Sequence, residues 1–242
     1  MTHGGMARRW WLGFALALVV ATVSSGCSTR IVRRNAEKRL ARRLEEFLGP
    51  AEKYRVRIYG TTDAQLVAGR VRRLVFEGYR ILARGVLPVE YLWGELREIR
   101  YVGGEAELLE IRDSDLAVEF SEAGLNRYLR EHHGRYQPEL TVLDGTVRAT
   151  ILYRIAGTPA PIAAVGRLVV VDHQRLDFRA EQVETPLPIH PDSARSLLEE
   201  IVNPIVDLRR IDWPLRLDTV RVEQGRIMVH GSATVRQRLE RE

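Results

Sequence analysis

The chain has 242 residues, with 37 Lys and Arg against 32 Asp and Glu, and its only cysteine is Cys27. The absence of any later cysteine excludes disulfides, thiolate metal sites and cysteine catalysis from the remainder of the chain. The basic excess lies in Arg8 and Arg9 and in residues 30–48, which hold seven basic residues and three glutamates. The rest is close to neutral, so nucleic acid is not an expected partner.

An apolar run of 14 residues, from position 10 to position 23, lies between two arginines and the small residues 24–26. The run is shorter than the roughly 20 apolar residues that a bilayer-spanning helix needs, and this layout is typical of a secretory signal. The small residues end on Cys27, an arrangement that resembles the lipobox of bacterial lipoproteins, in which the cysteine is diacylated.

We therefore expect residues 1–26 to be a signal peptide cleaved before Cys27, and Cys27 to carry acyl chains such as palmitate. Two alternatives remain open at this point: an ordinary signal peptide with an incidental cysteine, and an uncleaved N-terminal anchor. All three place the later residues outside the cytoplasm. The expected location is extracytoplasmic, on the bacterial cell membrane.

Residues 27–53 form a basic segment with helical periodicity. Apolar residues recur at positions 32, 36, 40, 44 and 47/48, and Gly49-Pro50 ends the pattern. The apolar stripe of this helix can pack into a core, or lie on a membrane, or do both. The expected membrane-contacting residues are Arg30, Arg33 and Arg34, because each basic residue near an anionic surface contributes about 1 kcal/mol.

From Tyr54 onward the chain reads mostly as alternating strands, with hairpin turns predicted at Asp144-Gly145, at residues 172–175 and at Gln224-Gly225. Two helices interrupt the strands. Ser121 caps the first, and Pro204 kinks or ends the second near position 203. Antiparallel hairpins with inserted helices predict an α+β fold.

No motif for a nucleophile elbow, a phosphate-binding loop or a zinc protease occurs in the chain. His132 and His133 are adjacent on a helix and point about 100° apart, and Asp113 and Asp115 lack a ligating continuation. We expect no enzyme activity, no metal and no cofactor. A hydrolase with an unrecognised site would need His173 or His190 beside a carboxylate and a hydroxyl.

The sequence contains many apolar residues for a chain without disulfides. A curved sheet wrapped on amphipathic helices can enclose an elongated apolar cavity, which suits acyl chains. The candidate lipid-binding residues are apolar positions of the late helix and of two facing strands: Leu197, Leu198, Ile201, Val202 and Ile205 on the helix, and Ile151, Tyr153, Leu176 and Phe178 on the strands.

Six segments, taken in order over about residues 54–235, resemble the LmeA family of phospholipid-binding envelope proteins. They are LVAGRVRRLVFEG, LPVEYLWGELREIRY, VEFSEAGLNRYL, LDGTVRATILY, GRLVVVDHQRLDF and PLRLDTVRVEQGRIMVHG. The resemblance implies a tubular lipid-binding-like domain over residues 54–236, with a strongly curved antiparallel sheet around amphipathic helices. It also implies that phospholipid, or a similar acyl-chain amphiphile, is the partner.

The resulting hypothesis is a lipid-anchored protein that binds phospholipid in an apolar groove and serves in the maintenance of envelope lipid or glycolipid. The alternative is a structural or adaptor envelope lipoprotein, in which a solid core supports a surface for a protein partner of unknown identity. An elongated apolar cavity would separate the two.

Overall fold

The computed structural model describes residues 29–102, 107–155, 158–186, 188–210 and 215–233. In these ranges the helices are α1 (Thr29–Leu48), α2 (Asp63–Val67), α3 (Glu122–His133) and α4 (Pro191–Val202). The strands are β1 (Ala51–Tyr59), β2 (Arg70–Ala83), β3 (Leu87–Val102), β4 (Glu107–Ser121), β5 (Glu139–Val142), β6 (Val147–Ile155), β7 (Thr158–Val171), β8 (Arg175–Glu184), β9 (Val206–Asp207), β10 (Arg216–Glu223) and β11 (Arg226–Ser232). Cys27 and the predicted signal peptide lie outside the described residues.

The strands form two antiparallel sheets. Sheet A has the order β1-β2-β3-β4-β11-β10, and sheet B has the order β5-β6-β7-β8-β9. The architecture includes one strongly curled half-barrel. The predicted α+β class with a strongly curved antiparallel sheet is confirmed.

The predicted turns and caps are present. Gly145 and Gly225 adopt positive φ at their hairpin turns, as do Asp172 and His173 between β7 and β8. A two-residue hairpin turn requires this backbone region, because its twist then matches that of the strands. Ser121 caps α3, since its hydroxyl oxygen accepts a hydrogen bond from the N–H of Gly124 at 3.2 Å.

Helix α4 ends at Val202, next to the predicted break at Asn203-Pro204. Proline has no N–H to continue the helical hydrogen bonds. The prediction that Ile205 lies on this helix is therefore wrong: Ile205 follows the break, and its N–H donates to the carbonyl oxygen of Leu176 at 2.9 Å. The chain then continues as β9 along β8.

Helix α1 contributes its apolar stripe to the core. Its buried residues are Ala36, Leu40, Leu44 and Leu48, and they belong to the same buried cluster as residues of both sheets. The helix packs along β1, while Arg34, Lys38 and Arg42 lie on its exposed face. The apolar stripe of α1 therefore packs into the core, which is one of the two roles expected for it. The basic face of the helix remains accessible.

Helix side chains satisfy backbone groups at the edges of both sheets. The carboxylate of Glu37 in α1 accepts a hydrogen bond from the N–H of Ile58 on β1 at 3.0 Å. In α3, the amide of buried Asn126 pairs with both backbone groups of Leu140 on β5, at 2.6 Å and 2.8 Å. Covered edges are a common protection against strand addition by other chains.

Candidate functional site

The predicted site begins where α4 packs on sheet B. Pro191 occupies the first turn of α4. The buried residues of this helix are Ala194, Leu198, Ile201 and Val202. The helix contacts β6, β7 and β8. Because β6 and β8 are separated by β7, α4 crosses a face of the sheet, and this face is the buried one.

The strand residues predicted to face α4 share that buried face. In the antiparallel registers, Ile151 lies opposite Ile162, Leu168 opposite Phe178, and Val170 opposite Leu176. Directly opposite residues point to the same side of a sheet. Ile151, Leu176 and Phe178 have no solvent exposure, whereas Tyr153 and Leu197 are partly buried against the core.

Two polar side chains attach α4 to the free edge of β8. Asn203 accepts from the N–H of Phe178 at 2.7 Å and donates to its carbonyl oxygen at 2.9 Å. Glu199 accepts from the N–H of Ala180 at 2.8 Å. Beyond the short β9, these bonds take the place of backbone hydrogen bonds to a neighbouring strand. The helix is therefore held both to the edge and to the face of sheet B.

A small apolar pocket lies at the seam between the two sheets. Its lining comes from β4, β10 and β11 of sheet A, from β8 and β9 of sheet B, and from nearby segments: Val118, Phe120, Leu176, Val206, Leu208, Leu215, Leu217 and Val229. Leu176 belongs to both the α4 layer and this pocket. The apolar layer under α4 therefore continues into the seam.

The pocket has a cavity volume of about 10 Å³, which is room for roughly one water molecule. Sites for drug-sized ligands are typically about 300–1,000 Å³. In this conformation the seam is closed on its own side chains, and an acyl chain would enter only if the two sheets moved apart.

Polar groups surround the seam where the β7–β8 turn meets β10. The N–H of Leu217 donates to the carbonyl oxygen of His173 at 2.7 Å. Arg216 Nη2 lies 2.8 Å from His173 Nε2, and His173 Nδ1 lies 3.0 Å from the carbonyl oxygen of Leu217. Since arginine only donates, Nε2 is the acceptor and Nδ1 carries the proton.

A second charged group flanks Leu208 in the pocket lining. Arg209 donates twice to the carboxylate of buried Asp207, at 2.8 Å for each bond, and this pairing raises the pKa of Arg209. Asp207 also accepts from the N–H of Arg209 at 3.1 Å. Charged groups therefore border the apolar pocket on the side of Leu208 as well as at the β7–β8 turn.

The predicted membrane-contacting arginines differ in their surroundings. Arg33 is half-buried, and its Nη2 donates to the carbonyl oxygen of Thr61 at 2.8 Å. Arg34 is exposed. Arg30 lies in the first turn of α1, and its side chain is outside the described part, as is the predicted lipid anchor Cys27.

The model of the LmeA-like phospholipid-binding family matches residues 28–232. The chain belongs to this family. The match begins one residue before α1, so the family relationship includes the basic helix as well as both sheets. Phospholipid binding is the activity that this membership supports.

Comparison with curated proteins and comparison with solved structures gave no match. In the described ranges, no helix has the length and apolar character needed to cross a bilayer. The same residues contain no cluster of three or more His, Cys, Asp or Glu able to hold a metal ion.

The sequence pattern did not identify the half of the pocket that sheet A supplies. Val118, Phe120 and Val229 alternate inward on their strands, so their burial was readable from the sequence. Their position opposite Leu176 depends on how the sheets pack, which strand periodicity does not encode. The polar links from Asn203 and Glu199 also lacked a local sequence signal.

Proposed function

We propose that this protein binds phospholipid, or a similar acyl-chain amphiphile, between α4 and the seam of the two sheets. The acyl portion contacts Leu176, Val206 and the other apolar residues of the seam, and the headgroup lies among the charged residues at its border. No catalytic step is part of the proposal. The role is maintenance of lipid or glycolipid in the cell envelope.

One observation carries this assignment: the continuous apolar layer from α4 to the seam pocket, through Leu176, in a chain of a phospholipid-binding family. Apolar contact supplies about 25 cal/mol per Å² of surface removed from water. In the closed form the surfaces that line the seam already contact one another. Separating the two sheets therefore costs part of the free energy gained from apolar contact, and the ligand must replace the contacts that are lost.

The proposal includes export and anchoring. Residues 1–26 act as the signal, Cys27 becomes acylated, and the domain stays on the outer side of the bacterial cell membrane. Arg30, Arg33 and Arg34 contribute electrostatic attraction to anionic headgroups. A diacylglyceryl group anchors the chain firmly in the membrane, since each buried methylene contributes about 0.8 kcal/mol. The arginines orient the domain on the membrane surface.

The second candidate function is a structural or adaptor lipoprotein. The small volume of the seam pocket favours it, because a closely packed seam serves equally well as rigid support for a protein-binding surface. The two functions differ in one measurable property. An adaptor takes up no lipid between the sheets under any condition in which it remains folded.

Uptake of a fluorescent phospholipid by the purified full chain tests the proposal. Val206→Phe adds bulk to the pocket lining, and Val142→Phe adds the same bulk at a buried position of β5 that does not line the pocket. Each costs about 1–3 kcal/mol of folding stability through overpacking. We expect Val206→Phe to lose most of the uptake and Val142→Phe to keep it; equal uptake by both variants would place the lipid elsewhere.

A further inference from the structure

One end of sheet A brings exposed apolar and basic residues together. There the end of β1, helix α2 and the start of β2 lie beside the first turns of α1. Thr61 joins them, because its carbonyl oxygen accepts from Arg33 at 2.8 Å and its hydroxyl oxygen accepts from the N–H of Arg72 at 3.0 Å. We call this end the α2 tip, and its surface residues are Arg34, Arg57, Tyr59, Val67, Arg70 and Arg72.

The apolar part of the α2 tip is held in place. Val67 is 56% exposed, and the next residue toward the N-terminus, Leu66, is 1% exposed. Thr62 and Gln65 form a reciprocal capping box, with bonds of 2.9 Å and 3.3 Å. Val67 therefore projects from an ordered turn, and Tyr59, 45% exposed, lies at the end of the adjoining β1.

The basic part of the α2 tip consists of four arginines. Within the described ranges, none of Arg34, Arg57, Arg70 and Arg72 forms an ion pair, although most arginines of the outer sheet surface nearby do. Arg70 lies directly opposite Arg100 in the β2–β3 register. Like charges in this position destabilise a sheet, and an external anion would relieve the repulsion.

Few of the described acidic residues lie near the tip. Asp63 lies in the first turn of α2, and Glu37 is bonded to the N–H of Ile58. Exposed Glu98 lies on β3 between the register partners of Arg73 and Val71. The four arginines outnumber Asp63 and Glu98, so the described tip surface is positive, which is complementary to anionic lipid headgroups.

The opposite end of α1 shows a contrasting arrangement. Leu82 and Val86 are exposed there too, but Arg80 pairs with Glu52. An arginine covers an aromatic ring at both ends, since Arg84 lies over Phe47 and Arg73 lies over Tyr59, each at 5.4 Å. The 20-residue helix separates the two ends by about 30 Å. Residues 1–28, with their apolar run, join the chain at the α2 tip.

We propose that the α2 tip docks on the surface of an anionic bilayer. Val67 and Tyr59 enter the interfacial region, the four arginines lie among the headgroups, and α1 stands with its N-terminus toward the membrane. An amphipathic tyrosine beside an aliphatic residue is a composition suited to this interface. The inference rests on the proposed function only in placing the protein at a membrane.

A polarity-sensitive fluorophore locates the tip directly. The full chain with Cys27→Ser has no other cysteine, so Val67→Cys or the control Leu82→Cys provides a single labelling position. Each labelled protein is reconstituted in vesicles of phosphatidylcholine with phosphatidylglycerol. We expect a blue shift, and quenching by lipid-borne spin labels, at position 67 and not at position 82.

Three outcomes overturn the docking proposal: a water-like spectrum at position 67, equal or stronger quenching at position 82, and an unchanged blue shift when phosphatidylglycerol is omitted. Uptake of fluorescent phospholipid is measured on the labelled Val67→Cys chain and on a separate Val67→Asp chain. Retained uptake by Val67→Asp together with loss of vesicle binding supports a surface role for the tip. No uptake by a Val67→Cys chain that still docks contradicts the proposed lipid-binding function alone.

Discussion

The side-chain amide of Asn203 forms two hydrogen bonds with the backbone of Phe178, one to its N–H at 2.7 Å and one to its carbonyl oxygen at 2.9 Å. Asn126 makes the same pair of bonds with Leu140 at the other edge of sheet B. Sheet B is thus held between two helices by asparagines that occupy the place of a neighbouring strand.

Replacement of Asn126 tests this arrangement. Asn126→Ala leaves the N–H and the carbonyl oxygen of Leu140 buried without partners, and each such group costs about 1–3 kcal/mol. We expect the free energy of unfolding to fall by about 2–4 kcal/mol in urea titration. The neighbouring exposed Arg127→Ala is the control, with an expected change within about 0.5 kcal/mol. Equal effects of the two substitutions would show that the amide pairing contributes nothing.

Gly94 is required by close packing on the inner face of sheet A. A methyl group there would lie 2.2 Å from Phe76 Cζ and 2.7 Å from Leu116 Cδ2, and these residues flank Gly94 in register. Gly94→Ala should cost about 1–3 kcal/mol of stability by overpacking. Gly134→Ala, where the added methyl group meets nothing within 4 Å, should be neutral or slightly stabilising.

A double-mutant cycle separates this clash from a general effect of alanine. Phe76→Leu removes the ring that the new methyl group would meet. We expect the Phe76→Leu/Gly94→Ala chain to be more stable than the sum of the single changes predicts, by about 0.5–3 kcal/mol. Strict additivity of the two changes would mean that the ring and the glycine do not interact.

Glu95 makes the stability of the fold depend on pH. It is 4% exposed and accepts from Arg73 Nη2 and Arg97 Nε, each at 2.6 Å. The hydrogen bond from Arg73 is the largest cause that holds its pKa below the ordinary value of 4.5. A carboxylate with a lowered folded-state pKa stabilises the fold above its unfolded pKa, and this contribution is lost as pH falls through the folded pKa.

The comparison of wild type with Glu95→Gln tests that relationship. We expect the difference in free energy of unfolding to be constant from neutral pH down to about 5, and to shrink as the pH falls below 4.5. Glu46→Gln, on the exposed pair with Arg43, should show a difference near zero throughout. A difference for Glu95→Gln that grows on acidification has the opposite sign and would refute the assignment.

Local chemistry made much of the fold predictable. Asp144-Gly145 and Gln224-Gly225 favour the positive φ of tight turns, Ser121 favours a helix start, and Pro204 excludes helix continuation. The side of β6 that faces the core also followed from alternation, whereas in β8 Asp177 is buried between Leu176 and Phe178. These features depend on a few adjacent residues, so the sequence displays them directly.

The closed seam and the edge-binding asparagines were not predictable in this way. Phe120 of β4 and Leu176 of β8 line one pocket across the two sheets, a relationship set by the whole topology. Asn126 lies within α3 and Asn203 follows the end of α4, and neither is marked by a local sequence signal. Their partners Leu140 and Phe178 are 14 and 25 residues away, and no periodicity connects them.

Anchoring depends on one residue in the proposed scheme. Changing Cys27 to Ser should prevent acylation, and the chain should appear in the soluble fraction or remain uncleaved. Changing Arg30, Arg33 and Arg34 to Gln should spare anchoring and weaken only the binding of the non-acylated form to anionic vesicles. If the Cys27→Ser chain is processed and fractionates like the parent, Cys27 is incidental and the anchor is elsewhere.

The central claim is that phospholipid occupies the interior between α4 and the two sheets. Native mass spectrometry of the full chain purified from cells, with organic extraction of the same sample, measures this directly. We expect a mass increment equal to an extractable phospholipid, present in wild type and reduced in Val206→Phe relative to Val142→Phe. Repeated detection of the folded protein with no bound lipid, and no acquisition of lipid from vesicles, would contradict it.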